Sequence, residues 1–123
     1  MTKEKQFENI IRDYLKKKNI YHFKFWGGNL KTPGGFVKTR KGVPDLICCI
    51  NGIFVGIEVK QVNGKISDIQ KKNIVEINKA GGAALVCYPK DFKALQLFIE
   101  KLLKNNTKCK EYLKEYYNLT KNL

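Results

Sequence analysis

The segment Leu46-Ile-Cys-Cys-Ile-Asn-Gly-Ile-Phe-Val-Gly-Ile-Glu-Val59 restricts the fold more than any other part of the chain. Asn-Gly is the strongest short signal for a two-residue type I′ turn, because both central residues need φ > 0, and strand-forming residues flank it on both sides. With Asn51 and Gly52 as the turn, Ile50 faces Ile53, Leu46 faces Ile57 and Asp45 stands opposite Glu58. The period of two sends Leu46, Cys48, Ile50, Ile53, Val55, Ile57 and Val59 to one wholly apolar face and puts Lys60 on the face of Glu58. The apolar face fixes the register, since a slip of one residue would expose all of it.

The charges at the open end then need a reason. Directly opposed β-carbons lie about 4.5–5.5 Å apart, and two carboxylates at that spacing on a largely buried sheet repel unless one is protonated or a cation lies between them. Two convergent carboxylates with room for water suit magnesium or manganese, which keep several waters and share their shell with phosphate oxygens. Lys60 adds a positive charge beside them. The plainer alternative makes Asp45 a cap after Pro44 and leaves Glu58 and Lys60 on the solvated face of an edge hairpin.

Around the hairpin the pattern predicts an amphipathic helix over 3–18, with Phe7, Ile10, Ile11, Tyr14 and Leu15 at helical spacing and Thr2 as its N-cap. A strand is expected over 20–26, then a glycine-rich basic loop with a short strand at Phe36-Val37. Ser67-Asp-Ile-Gln70 has the form of a capping box opening a helix that ends near Gly81-Gly82. A strand at Ala83 to Tyr88, a helix running from Pro89-Lys-Asp91 to about Lys104, and a Tyr-rich helix at Lys110 to Leu119 complete the order. The expected fold is α/β, a mixed sheet flanked by helices in the order α-β-β-β-α-β-α plus a C-terminal helix. At 123 residues this is a single domain.

Charge narrows the partner. Lys plus Arg outnumber Asp plus Glu by 24 to 11, a net +13, which favours a polyanion such as nucleic acid or an anionic membrane surface. No acid falls between Tyr14 and Pro44, and that span includes Lys31, Lys38, Arg40 and Lys41, whose glycine-rich setting allows close approach to phosphates. Cys48, Cys49, Cys87 and Cys109 form no C-x-x-C pair, so a zinc site is not expected and a reducing, cytoplasmic setting is. No run of about 18 apolar residues predicts a membrane span, and no nucleotide cofactor is expected.

Gly42-Val43-Pro44-Asp45, then Glu58-Val59-Lys60, then Gly64-Lys-Ile-Ser67 followed by Gln70 resemble, in that order, the VRR-NUC family, the virus-type replication-repair nucleases of the PD-(D/E)XK superfamily, in small stand-alone form. The resemblance covers about residues 4–90 and leaves the last helix, from about 105 to 123, outside it. It implies a restriction-endonuclease-like fold and a Mg2+- or Mn2+-dependent phosphodiesterase acting on DNA. Asp45, Glu58 and the backbone carbonyl of Val59 would ligate the metal, and Lys60 would orient or activate water. Glu8 would complete the shell directly or through water, and Gln70 would reach the site from the second helix.

Two residues keep competing roles. Glu8 can face inward or form a rim salt bridge, with Glu4 as its substitute, and Gln70 already has a structural task at the third position of its capping box. His22, alone in an aromatic strand, reads as packing. The expectation is an endonuclease for branched or junction DNA in replication, repair or recombination, acting as a homodimer in a bacterium or the host cell of a phage. A non-catalytic DNA-binding module and an RNA-acting nuclease are the alternatives.

Overall fold

The computed structural model describes residues 1–27 and 29–122, without the side chains of Asn29, Leu30 and Val37. The chain runs α1 (Lys3–Lys17), β1 (Tyr21–Lys24), β2 (Asn29–Thr32), β3 (Gly35–Lys38), β4 (Leu46–Ile50), β5 (Ile53–Val59), α2 (Asp68–Lys79), β6 (Ala83–Cys87), α3 (Phe92–Lys104) and α4 (Cys109–Thr120). Four strands form one sheet in the order β1-β4-β5-β6, with β5 and β6 parallel and the other pairs antiparallel. The mixed α/β architecture is the expected one.

The hairpin has the register read from its turn. Ile50 pairs with Ile53 and Leu46 with Ile57, and Asn51 and Gly52 both carry positive φ, 48° and 82°. Leu46, Cys48, Ile50, Val55, Ile57 and Val59 enter the main core with Phe7, Ile11 and Leu15 of α1, Leu95, Phe98 and Ile99 of α3 and Leu113 and Tyr116 of α4. α2 covers the opposite face through Ile74, against Ala84 and Val86. Ser67 and Gln70 form the capping box reciprocally.

One stretch differs from the sequence expectation. The glycine-rich segment is a second, two-stranded sheet, β2 against β3, turned at Pro33-Gly34, with the Thr32 hydroxyl donating to the Gly35 carbonyl at 2.8 Å. Pro-Gly at the centre of four residues is turn chemistry, and the run of glycines hid the alternation around it.

The outer edge of β6 is closed by side chains. The Asn78 carboxamide accepts from the Ala84 N–H at 2.7 Å and donates to the Ala84 carbonyl at 3.2 Å, so it pairs with the strand as another strand would. Tyr116 Oη and Asn122 Nδ2 donate to the Val86 carbonyl at 2.6 and 3.1 Å, and Tyr117 Oη donates to the Ala84 carbonyl at 2.5 Å. α4 thus occupies an edge that would otherwise offer unpaired backbone groups to another chain.

Candidate active site

The motif Gly42-Val-Pro-Asp45 positions its aspartate through backbone constraints. Gly42 has φ +79°, and a β-carbon there would meet the Ile69 carbonyl oxygen at 2.7 Å and Asn73 Nδ2 at 2.8 Å, so only glycine lets this loop lie on α2. Asn73 ties the contact by donating to the Lys41 and Ile69 carbonyls at 3.2 and 2.9 Å. Pro44 packs on Gly56 of β5, where a β-carbon would stand 2.8 Å from its ring. Proline also has no N–H to offer a neighbouring strand, and the ladder between β4 and β5 ends at Leu46 and Ile57. The Val59 N–H instead donates to Asp45 Oδ2 at 2.8 Å.

Glu58 faces the α2 side of the sheet and is 2% exposed. Its Oε2 accepts from Gln70 Nε2 at 3.1 Å and lies 3.6 Å from Lys60 Nζ, itself largely buried. Burial first, then the charge of Asp45 and a hydrogen bond shared with it, push the Glu58 pKa far above the ordinary carboxylate value, and Lys60 offsets this only in part. The repulsion expected between the opposed carboxyls thus appears as a raised proton affinity at Glu58. Gln70 performs both tasks left open by the sequence: its Oε1 accepts from the Ser67 N–H at 2.9 Å while its amino group reaches Glu58.

Glu8 approaches from the other side of the sheet. It is 3% exposed, with Lys24 Nζ 2.6 Å from Oε1 and Lys5 Nζ 2.7 Å from Oε2. Burial alone would raise its pKa, but the hydrogen bonds from the two lysines prevail and hold it below the ordinary value. Lys24 also stands 3.5 Å from Asp45 Oδ1. Burial would lower the Lys24 pKa, and Glu8 and Asp45 together raise it instead. No motif in the sequence sets Lys24 apart from the other bases of the acid-free span. Its place depends on the pairing Lys24↔Leu46 between β1 and β4, a long-range register that no local pattern reveals. Glu4, one turn before Glu8, is exposed and adds a smaller repulsion at Glu58.

Asp45, Val59, Glu58, Lys60 and Gln70 therefore converge at one end of the hairpin, and Glu8 joins them through Lys24. Among the described residues no three His, Cys, Asp or Glu side chains are gathered as a ready cage for a metal ion. Asp45 and Glu58 are brought together beside the Val59 backbone, and a pair of carboxylates there fits an ion that keeps most of its own water. The raised pKa of Glu58 marks a position where added positive charge would be favourable.

The basic residues lie further out. Lys31 and Lys38 are exposed on the β2–β3 arm and Lys41 is exposed on the loop entering β4. Arg40 turns to α2, where it pairs with exposed Glu76 at 2.9 Å. His22 Nδ1 donates to the Ile20 carbonyl at 2.9 Å, a local backbone contact away from the carboxylates. No helix among the described residues is long and apolar enough to cross a membrane.

A VRR-NUC domain model matches residues 2–91, which takes in every element from α1 to the end of β6 and leaves α3 and α4 beyond it. No curated protein and no solved structure gave a match.

Proposed function

The chain belongs to the VRR-NUC family of nucleases acting on DNA, and from that premise we propose that it is a Mg2+- or Mn2+-dependent endonuclease whose centre is Asp45, Glu58 and the Val59 carbonyl. The observation that carries the reading is the placing of buried Glu58 beside Asp45 at the end of a register-locked hairpin, with Gln70 and Lys60 on the Glu58 carboxyl. A divalent ion bound there would supply Lewis-acid stabilisation and a nucleophile at neutral pH. Asp45 is held for this by the Val59 N–H, Glu58 by Gln70, and Lys60 sits where it can orient water and stabilise charge growing on the phosphate. Lys31, Lys38, Lys41 and, more weakly, Arg40 would bind the DNA backbone outside the centre.

Branched or junction DNA is the preferred substrate of this proposal, and a homodimer is its working form, because a small protomer with net charge +13 reaches two duplex arms most simply as a symmetric pair. A reducing cytoplasm, of a bacterium or a phage host, suits its four free cysteines. The test is incubation with four-way junction, flap, linear duplex, single strand and RNA, each with Mg2+, Mn2+ or EDTA. Metal-dependent internal cuts in junction or flap DNA are expected. Cleavage undiminished by EDTA would remove the metal centre from the proposal, and a preference for RNA would remove the substrate.

A further inference from the structure

We propose that Lys24 is the resident counter-cation of this site: its ammonium holds the charge position between Glu8 and Asp45, competes there with a divalent ion, and makes Glu8 an anchor for the lysine. The inference rests on the metal-dependent reading above and goes beyond it, since it gives Glu8 a positioning role in place of ligation and gives the site a member on β1.

Three features carry it. Both Glu8 oxygens are already engaged at salt-bridge distance, by Lys24 at 2.6 Å and Lys5 at 2.7 Å, so no oxygen of Glu8 faces the Asp45–Glu58 pair without a lysine on it. The grip is uneven, because Lys24 is 3.5 Å from Asp45 Oδ1, close enough to neutralise charge and too far for a firm hydrogen bond. The Lys24 side chain is 17% exposed, so water screens this charge little. Its end packs beside Trp26, 5.4 Å from the ring centroid, with Lys5 5.7 Å from the same ring, and the aromatic face gives the displaced ammonium somewhere to rest. A cation arriving at Asp45 and Glu58 therefore meets an ammonium already within Coulomb reach, and binding it requires Lys24 to withdraw from Asp45.

The test is Mn2+ affinity by isothermal titration and by the electron paramagnetic resonance signal of free Mn2+, without DNA. Lys24→Met should bind Mn2+ about tenfold more tightly than wild type, the scale of removing one unit charge a few ångströms away in a partly solvated site. Because Lys24→Met leaves buried Glu8 with Lys5 alone, a second comparison avoids any folding defect: Glu8→Gln against Glu8→Gln with Lys24→Met. Glu8→Gln by itself should change Mn2+ affinity less than threefold, and the double variant should bind several-fold more tightly than Glu8→Gln. Equal or weaker binding after loss of Lys24 in both backgrounds, with wild type still binding Mn2+, would overturn this inference and leave the metal centre standing. Loss of Mn2+ binding in Glu8→Gln would make Glu8 a ligand and overturn the anchor role. Absence of binding in every protein would overturn the metal centre as well.

Discussion

The two ends of the β4–β5 hairpin share strands and register but differ in every polar contact. At the turn, Asn51 Nδ2 donates to the Leu102 and Leu103 carbonyls at 3.1 and 3.2 Å, and Asn106 Nδ2 donates to the Asn51 carbonyl at 2.8 Å, so neutral amides close the C-terminal end of α3. At the open end, Glu8, Asp45 and Glu58 crowd against Lys5, Lys24 and Lys60, and burial with the Asp45 charge raises the pKa of Glu58. The turn end satisfies its groups and stabilises the fold. The open end leaves charge imperfectly matched, which is what the proposed binding of a cation and a phosphate there would require.

The largest test of this division is Asp45→Asn. Asparagine keeps an oxygen for the Val59 N–H, so the strand end and the fold should survive while the charge is lost. Cleavage should fall by about a thousandfold or more, a loss of the size seen when a preorganised electrostatic group is deleted, with DNA binding retained in a gel-shift assay. Retained metal-dependent cleavage would move the centre elsewhere.

Glu58→Gln should sharpen the comparison through stability. A carboxyl whose pKa is raised in the folded state binds its proton more tightly there than in the unfolded chain, so it favours folding fully only below its unfolded value near 4.5 and loses that contribution as pH rises toward the folded value. The glutamine variant does not titrate. Without metal it should therefore become more stable than wild type from about pH 5 upward, by on the order of 1 to 3 kcal/mol at pH 8, since a tenfold difference in proton affinity corresponds to about 1.4 kcal/mol. Mg2+ should raise the melting temperature of wild type and leave the variant nearly unchanged. A gap that stays constant between pH 5 and 8 would mean that Glu58 is ionised throughout.

Much of this site was legible because it depends on local order. Asn51-Gly52 sets the register, register sets which side chains oppose, and Asp45 facing Glu58 follows from counting; Ser67 to Gln70 announced its own helix start. What was hidden depends on pairings distant in sequence. Lys24 acquires its role from β1 lying beside β4, and Asn78, Tyr116, Tyr117 and Asn122 from α2 and the C-terminal segment meeting at β6. None of these carries a motif. The dual use of Gln70 was visible only as two competing readings, because a carboxamide has two ends and sequence does not say that both are occupied.

The turn end gives a smaller effect of the opposite kind. Asn51→Ala removes the donor to two α3 carbonyls and places a β-carbon-bearing residue without asparagine's tolerance at φ 48°. It should cost about 1 to 2 kcal/mol of stability in urea titrations and leave kcat within about twofold of wild type. Cleavage reduced as much as stability would tie the two ends together mechanically.

The smallest effect separates two basic residues that sequence treats alike. Lys38 is exposed at the end of β3 and pairs with no acid among the described residues, whereas Arg40, two residues later, pairs with Glu76 across the face of α2. A side chain that neutralises a phosphate releases condensed counterions, and each such contact contributes about 0.9 to the slope of log affinity against log salt on duplex DNA. Lys38→Ala should thus make the slope shallower by close to that amount, equally on all sequences, because phosphate contacts carry no base information. Arg40→Ala should change it by less than half as much, since the arginine must first leave a carboxylate, and an exposed ion pair of this kind contributes only about 0–1 kcal/mol. Glu76→Ala releases Arg40 and should steepen the wild-type slope slightly. Fluorescence-anisotropy titrations across a salt series read all three. Equal changes for Lys38→Ala and Arg40→Ala would show that DNA draws Arg40 away from α2, and no change for either would place the backbone contacts off the open end of the hairpin.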